Sequence, residues 1–297
     1  MHADADDSWP GQWHIGVIGG SGLAEGIALD DAQEIEVASP FGQPSGPVTI
    51  GTLGGVRFTF LARHGAGHRI PADAVNFRAN IDVLKRCGVT DVLAISAVGS
   101  LREELRPGDF VSVDGFIDRT AGRERSFFGP GLAAHVGMAD PVCPRLSGLA
   151  AAAAASAAAR VHEEGCYIAI QGPQFSTRAE SRLYREWGAD VIGMTGLPEA
   201  YLAREAELPY ALLGMVTDYD SWRDGEAGVE ASAILEVMKA NAILAVQAVQ
   251  ALARLLPEVR QPSPIDHALD HAIVTAPAAR DRRLVAMLDA VAGRVLR

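Results

Sequence analysis

The sequence is short of positive charge. Its 297 residues hold 26 Lys and Arg against 37 Asp and Glu, and the formal net charge is −11. An acidic surface argues against nucleic acid and anionic membranes as main partners, although a small anionic ligand can still be held in a local pocket. Residues 1–12 are acidic and have no apolar core, so we expect a flexible tail there and no signal peptide.

Cysteine is scarce, and long apolar runs are missing. The three cysteines, Cys87, Cys143 and Cys166, form no C-x-x-C pair. Such a scattered set is typical of reduced thiols in a cytoplasmic protein and suggests no metal cluster. The longest soft run, residues 149–159, is nearly all Ala, which predicts a helix and is too short and too weakly apolar for a membrane span.

The motifs of several common enzyme classes are also missing. The sequence has no H-E-x-x-H spacing, no P-loop and no G-x-S-x-G nucleophile elbow. The Gly-rich stretch after residue 18 is not a Rossmann motif, because no helix of proper length is expected to follow it. We therefore expect neither a bound metal nor a cofactor.

Apolar runs and amphipathic patterns together predict an α/β fold. Strands are predicted at 15–18, 56–61, 90–97, 110–118, 166–170, 190–194 and 210–217. Helices are predicted at 71–87, 146–160, 178–187, 198–206, 231–256 and 280–296. Without an internal repeat or a clean linker, we favour one domain over 13–257. Residues 258–297 are expected to form an extension that is partly helical or disordered.

The stretch 210–222 carries the clearest chemical signal. An apolar strand ends in two carboxylates, Asp218 and Asp220, and alternation along an extended chain puts both on one side. Open α/β sheets bind ligands at the carboxyl ends of their strands. Asp is also a common turn residue, so this stretch alone favours a site and a simple turn equally.

Four other predicted strands end in polar or Gly-rich elements. These are Ser21 in a Gly-rich turn, Arg63 with His64, Ser96 with Ala97, and Thr195. Hydroxyls, an Arg, a His and free backbone amides suit phosphate, whereas two carboxylates and an aromatic side chain suit a neutral heteroaromatic ring. A chain that holds both should join or separate phosphate and a base.

The order of these motifs resembles the trimeric purine nucleoside phosphorylase family. The motifs that carry the resemblance are IGGSG from Ile18, RHG from Arg63, SAVGSLR from Ser96, GPQFSTRAE from Gly172, GMT from Gly193 with Pro198-Glu199, and TDYD from Thr217. The resemblance spans about residues 14–256 and is greatest to members that act on 5′-deoxy-5′-methylthioadenosine. It implies one α/β domain with a mixed, twisted central β-sheet flanked by helices, assembled as a homotrimer.

The resemblance also implies a role for each motif. Phosphate would be held by Ser21, Arg63, His64, Ser96, the Ala97 amide and Thr195. The nucleoside would be met by Met194 at the ribose, Phe175 at the base, His135 at the 5′ group in a neighbouring subunit, and Ala231 and Ile234 in the 5′ pocket. Asp218 and Asp220 would face the purine, and repulsion between them would raise the pKa of one, so that Asp218 gives or shares a proton at N7.

The reaction implied is phosphate-dependent cleavage of the N-glycosidic bond of 5′-deoxy-5′-methylthioadenosine. Its products are adenine and 5-methylthioribose 1-phosphate, with inorganic phosphate as co-substrate. Asp218 favours adenine, because family members that act on 6-oxopurines carry Asn there. Three alternatives stay open: a 5′-fluoro- or 5′-chloro-5′-deoxyadenosine phosphorylase in halometabolite biosynthesis, a 6-oxopurine or methylthioinosine phosphorylase, and a non-catalytic nucleoside sensor. Phosphate-independent hydrolysis is disfavoured, because nucleoside hydrolases usually need an acidic metal site.

Overall fold

The fold is a mixed β-sheet of eleven strands flanked by helices, in a computed structural model that describes residues 12–20, 22–225 and 231–296. The strands are β1 His14–Gly19, β2 Asp30–Ile35, β3 Val48–Leu53, β4 Val56–Ala62, β5 Asp91–Ser100, β6 Phe110–Val113, β7 Gly115–Arg119, β8 Val161–His162, β9 Cys166–Ile170, β10 Val191–Gly193 and β11 Tyr210–Asp218. The α-helices in the described residues are α1 Phe77–Arg86, α2 Pro144–Ser156, α3 Arg178–Glu186, α4 Gly196–Glu205, α5 Ala231–Leu255, α6 Arg282–Met287 and α7 Gly293–Leu296. The prediction of an α/β domain with a mixed central sheet is confirmed.

Strand β5 lies at the centre of the sheet. It pairs in parallel with β1 on one side and with β11 on the other, and β4 runs parallel to β1. Residues Val92 and Ala94 of β5 are fully buried, as expected for a strand covered on both faces. Because these four strands run in the same direction, their carboxyl ends meet at one edge of the sheet.

Strand β10 reaches the same edge from the opposite direction. It pairs antiparallel to the end of β5, with Val191 opposite Ser100 and Ile192 opposite Gly99. Continuing this register brings Thr195, two residues beyond β10, back alongside Ser96. The chain thus places two hydroxyls, from residues about a hundred positions apart, at one point.

Two predicted elements have different bounds in the structure. Helix α1 starts at Phe77 rather than at residue 71, because the Asn76 side chain accepts a hydrogen bond from the Ala79 amide and caps the helix there. The predicted strand 110–118 is two strands, since the chain leaves β11 after β6 and pairs with β9 through β7.

Helix α5 is apolar on most faces, which predicts a buried helix, and this prediction is wrong. Leu235 and Ile243 are 56% and 62% exposed, whereas Ala245, Val249 and Leu252 are buried. The helix is long and apolar enough to cross a membrane by length and composition alone. Its buried stripe packs in the same hydrophobic cluster as α2 and β11, which is the environment of a core helix with one uncovered face.

The extension after residue 257 packs into the core. Ile265, Leu269 and Leu288 are buried, and the predicted single helix over 280–296 is two short helices, α6 and α7. Before α6 the extension has two short 3-10 helices, Pro264–His267 and Pro277–Ala279. The apolar side chains that anchor this segment are too widely spaced in sequence to give a periodic signal.

The extension also holds the segment that carries His135. Ala134 and Ile273 form an isolated β-bridge, the His135 amide donates to the Ala272 carbonyl oxygen over 2.8 Å, and the Ala133 amide donates to Thr275 Oγ1 over 2.8 Å. The position of His135 therefore depends on residues about 140 positions further along the chain.

Candidate active site

A pair of hydroxyls marks the phosphate side of the site. Ser96 Oγ and Thr195 Oγ1 lie 3.1 Å apart. The Tyr167 hydroxyl accepts hydrogen bonds from the amides of Thr195 at 3.1 Å and Gly196 at 3.3 Å, which fixes the turn into α4. A Cβ at Gly193 would lie 2.1 Å from the Tyr167 hydroxyl, so only glycine fits there. The turn into α4 therefore lies beside the hydroxyl pair, and helical geometry begins only after Leu197, whose φ is −121° and ψ is 141°.

Most of the Arg63 guanidinium is engaged in a buried ion pair. Its side chain meets Glu199 through two bonds, Nε to Oε2 at 2.7 Å and Nη2 to Oε1 at 2.8 Å, while Nη1 donates to the Ile95 carbonyl oxygen at 3.2 Å. The Tyr210 hydroxyl donates to the same carboxylate at 3.0 Å. The sequence suggested a fork open to phosphate, whereas the structure leaves only Nη1 for that purpose. A phosphate contact from Arg63 stays a prediction.

The His64 ring can accept a hydrogen bond at Nε2. Its Nδ1 lies 2.9 Å from the Ile70 carbonyl oxygen, and since a carbonyl only accepts, Nδ1 carries the hydrogen. Burial lowers the pKa of His64 to about 4, so the ring is neutral at pH 7 and Nε2 holds a lone pair. The sequence had suggested a second donor to phosphate. A neutral His64 instead suits the hydroxyl of a protonated phosphate oxygen.

The structure says little about how Ser21 and Ala97 would contact phosphate. Ser21 lies outside the described residues. Ala97 lies in β5 opposite Met215, and its carbonyl oxygen accepts from Ser96 Oγ at 3.2 Å. The Arg63 amide donates to the Gly19 carbonyl oxygen at 2.9 Å, which sets the end of β4 beside the Gly-rich turn.

The two carboxylates occupy the end of β11. Asp218 accepts from the Thr217 hydroxyl at 2.7 Å and from the Asp220 amide at 2.7 Å, and Asp220 accepts from the Ser181 hydroxyl. A Cβ at Gly99 would meet Asp218 Oδ1 at 3.0 Å, so the absence of a side chain there lets the turn lie against β5. The prediction that these acids lie at a strand end beside the site edge agrees with this geometry.

Burial is the main cause of the unusual acidity of both groups. It raises the pKa of Asp218, against hydrogen bonds from Thr217 and the Asp220 amide that lower it. It also raises the pKa of Asp220, to about 6, with repulsion from Asp218 as a smaller contribution. Repulsion between the two carboxylates was the cause expected from the sequence, but desolvation raises the pKa of Asp220 more.

The nucleoside side is carried by loops. Gly172 has φ +68°, and a Cβ there would lie 2.5 Å from the Met194 sulfur. The backbone at Gly172 therefore packs directly against the Met194 side chain. Phe175 is 47% exposed, as a stacking platform requires. The neighbouring Ser176 hydroxyl is buried and has no hydrogen-bond partner among the described residues, which leaves it available to a ligand.

The residues predicted at the 5′ group are dispersed. His135 is exposed, Ile234 is half-buried near the start of α5, and the Ala231 side chain lies outside what the structure describes. In the described part of the chain no hydrogen bond joins His135 to another predicted site residue. We call His135 and Ile234, together with Phe175 of the base side, the 5′ set. The strand-end set consists of Arg63, His64, Ser96, Thr195 and Asp218.

Several side chains that shape the site were given no role from the sequence. They are Glu199, Tyr167, Ser181, Thr217 and Arg123, and they act by holding other site residues. Glu199 had one usable signal, since a buried Arg requires a carboxylate. Within residues 12–20, 22–225 and 231–296, no three His, Cys, Asp or Glu side chains cluster as metal ligands.

Comparison with known proteins identifies the family. The sequence model of the phosphorylase superfamily matches residues 14–256. The chain belongs to this superfamily. A phosphorylase-superfamily relative from Cereibacter sphaeroides, named S-methyl-5′-thioadenosine phosphorylase, is 54% identical over 285 residues, 95% of this chain and 98% of its own. A relative of the same name from Bradyrhizobium diazoefficiens is 51% identical over the same share of each chain.

Solved structures of superfamily members have the same fold. The crystal structure of a methylthioadenosine phosphorylase from an Antarctic soil metagenomic library superposes with a TM-score of 0.89 at 42% identity, covering 95% of this chain and 99% of its own. A mutant adenosine/methylthioadenosine phosphorylase from Schistosoma mansoni, in complex with methylthioadenosine, has a TM-score of 0.76 at 36% identity, covering 82% and 91%. The 285-residue match to the bacterial relative includes part of the extension after residue 256.

Proposed function

We propose that this chain cleaves 5′-deoxy-5′-methylthioadenosine with phosphate, giving adenine and 5-methylthioribose 1-phosphate. The observation that carries the proposal is the meeting of the Ser96–Thr195 hydroxyl pair and the Asp218 carboxyl at one sheet edge, in a member of the phosphorylase superfamily. Relatives at 54% and 51% identity are named for this reaction. The only co-substrate proposed is inorganic phosphate, without a cofactor.

Phosphate is oriented by neutral donors and one acceptor. Ser96 and Thr195 donate to its oxygens, while the His64 Nε2 lone pair accepts from the protonated oxygen. Ser21 and the Ala97 amide are further proposed donors. Arg63, already neutralised by Glu199, adds Nη1 and rigidity rather than net charge. Such a site would act mainly by positioning phosphate rather than by attracting its charge.

The bond that breaks joins C1′ of the ribose to N9 of the purine. Its electron pair leaves with the base, C1′ takes on oxocarbenium character, and a phosphate oxygen then forms the new bond at C1′. Asp218, whose pKa is raised by burial, passes a proton to N7 and neutralises the leaving purine. Thr217 and the Asp220 amide orient the Asp218 carboxyl for this transfer.

Adenine is preferred over a 6-oxopurine because a carboxyl oxygen of Asp218 accepts from the 6-amino group. A 6-oxo group offers no hydrogen there and leaves the buried acceptor unpaired. At the 5′ group, the apolar Ile234 side chain suits methylthio, and the names of the relatives favour that group over a halogen. A 5′-halogenated substrate remains the second candidate, because a small apolar pocket also fits it.

We further propose a homotrimer in the cytoplasm. Exposed apolar side chains at Phe175, Leu235, Ile243 and Val274 support an interface between copies, and the three cysteines are free thiols. In such an assembly His135 would reach the 5′ group of a substrate in the neighbouring subunit.

The test is release of the free purine base, with and without phosphate, from four nucleosides: 5′-methylthioadenosine, 5′-fluoro-5′-deoxyadenosine and adenosine, which give adenine, and methylthioinosine, which gives hypoxanthine. We expect strict dependence on phosphate, with methylthioadenosine the best substrate by kcat/KM. A higher kcat/KM for the fluoro compound would favour halometabolite chemistry. Turnover without phosphate, or comparable activity on methylthioinosine, would contradict the proposal.

A further inference from the structure

Arg123 ties together two segments of the site. It lies in the irregular segment between β7 and α2. Its Nη1 donates to the carbonyl oxygens of Met194 at 2.6 Å and Leu197 at 2.8 Å. Its Nη2 donates to the Gln171 carbonyl oxygen at 2.8 Å, and its Nε donates to Oε1 of the same Gln171 side chain at 3.1 Å.

The partners of Arg123 are unusual for a half-buried cation. Among the described residues, each of its hydrogen bonds goes to a neutral carbonyl oxygen, and its one aromatic contact is the Phe77 ring, 5.4 Å from the guanidinium carbon. Burial lowers the pKa of Arg123, and the more distant charges of Asp118 and Asp73 offset the lost hydration only in part. We take the absence of an ion pair as a sign that the shape of the guanidinium matters more here than its charge. Only a planar fork can reach the backbone carbonyls of Gln171, Met194 and Leu197 at once.

The two segments that it joins serve different ligands. The Met194–Leu197 turn contains Thr195, one of the two hydroxyls on the phosphate side. Gln171 begins the loop that leads to Phe175 on the base side. The segments also touch directly, because Gly172 packs against the Met194 sulfur. A displacement of one segment therefore moves the other, and Arg123 is the side chain that bonds to both.

We propose that Arg123 is a positioning residue that couples nucleoside binding to phosphate binding by locking the Gln171 loop to the Met194–Leu197 turn. The inference rests on the proposed function. In phosphorolysis the phosphate oxygen must lie in line with C1′ before the glycosidic bond loosens fully. A misplacement of about 1 Å between reacting groups costs on the order of 10²-fold in rate. Arg123 acts on that alignment without touching either ligand.

The test compares Arg123→Met and Arg123→Lys with the control Arg125→Met. Arg125 lies two residues away, is 58% exposed in its side chain, and pairs with Asp118 over 3.1 Å. Calorimetry gives the Kd of inorganic phosphate with and without a saturating, unreactive 7-deaza analogue of methylthioadenosine. In the wild type and in Arg125→Met we expect the analogue to tighten phosphate binding by about 10-fold, a usual size for coupling between sites.

In Arg123→Met we expect the Kd of phosphate alone to stay within about 2-fold of the wild-type value. The analogue should no longer tighten phosphate binding, and kcat should fall on the order of 10²-fold. Arg123→Lys should not restore the coupling, because an ammonium cannot span three carbonyls. Millimolar guanidinium chloride should recover part of the kcat of Arg123→Met, while equal sodium chloride should not.

Each outcome decides between distinct claims. If the wild type binds neither phosphate nor the analogue, the proposed function fails. If the wild type binds both and Arg123→Met keeps the full coupling, the inference about Arg123 is wrong while the proposed function stands. A variant that loses phosphate binding altogether, with no recovery of kcat by guanidinium, would show a merely structural role and would also overturn the inference.

Discussion

The strand-end set and the 5′ set are built in opposite ways. In the first, Arg63 and Thr195 are 1% and 3% exposed, and strand register brings distant residues such as Ser96 and Thr195 to one point. In the second, Phe175 is 47% exposed and His135 lies on a loop held by the extension. The groups proposed for chemistry are therefore fixed within one chain, whereas the groups proposed for the base and the 5′ group are exposed or half-buried. Such a division allows the 5′ preference to change without disturbing catalysis.

The largest effect is expected from Asp218→Asn in the strand-end set. An amide cannot pass a proton to N7, so kcat on methylthioadenosine should fall about 10³-fold. Activity on methylthioinosine should fall less, because an amide also donates to a 6-oxo group. Steady-state kinetics measures both. The matched control is Asp224→Asn, an exposed carboxylate in an ion pair with Arg182, which should stay within about 2-fold of wild type. A loss below 10-fold for Asp218→Asn would remove Asp218 from the chemistry.

The second-largest effect, a loss of stability, is expected when the buried ion pair between Arg63 and Glu199 is broken. Glu199→Gln leaves the buried Arg63 guanidinium without its counter-charge, and we expect the free energy of unfolding to fall by about 3 kcal/mol. Urea denaturation measures it. The exposed pair broken by Asp224→Asn should cost no more than about 0.5 kcal/mol. Equal losses in the two variants would mean that the strand-end set is no more rigid than the surface.

A smaller effect is expected from Thr217→Val. The Thr217 hydroxyl bond lowers the pKa of Asp218 by stabilising its charged form, while burial raises it. Without that bond the pKa rises further, so protonated Asp218 persists to higher pH. The alkaline limb of the kcat profile should move up by about 0.7 pH units, the equivalent of one hydrogen bond. A shift to lower pH would contradict the assignment of Asp218 as the proton donor.

The smallest effect is expected at the 5′ set. Thr275→Val removes the acceptor for the Ala133 amide and loosens the segment that carries His135. The kcat/KM ratio of methylthioadenosine to adenosine should fall about 3-fold, the value of one modest hydrogen bond, while the KM for phosphate stays constant. An equal change in the KM for phosphate would show that the two sets are not separable.

The sequence predicted the sheet better than the contacts that complete it. Apolar runs with polar ends located the ends of β4, β5, β10 and β11, because a buried strand and its exit leave a local pattern. The partner of Arg63 was not predictable from spacing, since Glu199 lies 136 residues away. The neutral state of His64 was missed for the same reason, because it depends on burial and on the Ile70 carbonyl. Both are properties of tertiary packing.

The helices and the extension show the same limit. Helix α5 has apolar residues on most faces, and composition alone could not tell that Leu235 and Ile243 are uncovered. The extension gives no periodic signal, yet Ile265 and Leu288 are buried. Burial of isolated apolar residues depends on which surface they meet, and that surface is made by distant parts of the chain.

Amide hydrogen exchange tests the contrast between the two sets most directly. It would be measured on the free protein and again with phosphate and the 7-deaza analogue bound. The account predicts that amides of β1, β4, β5 and the start of α4 are already slow in the free protein and change little. Amides of 172–176, in the loop that carries Phe175, should exchange fast and become protected on nucleoside binding. Fast exchange at the strand ends of the free protein, or equal protection of both sets by ligand, would contradict it.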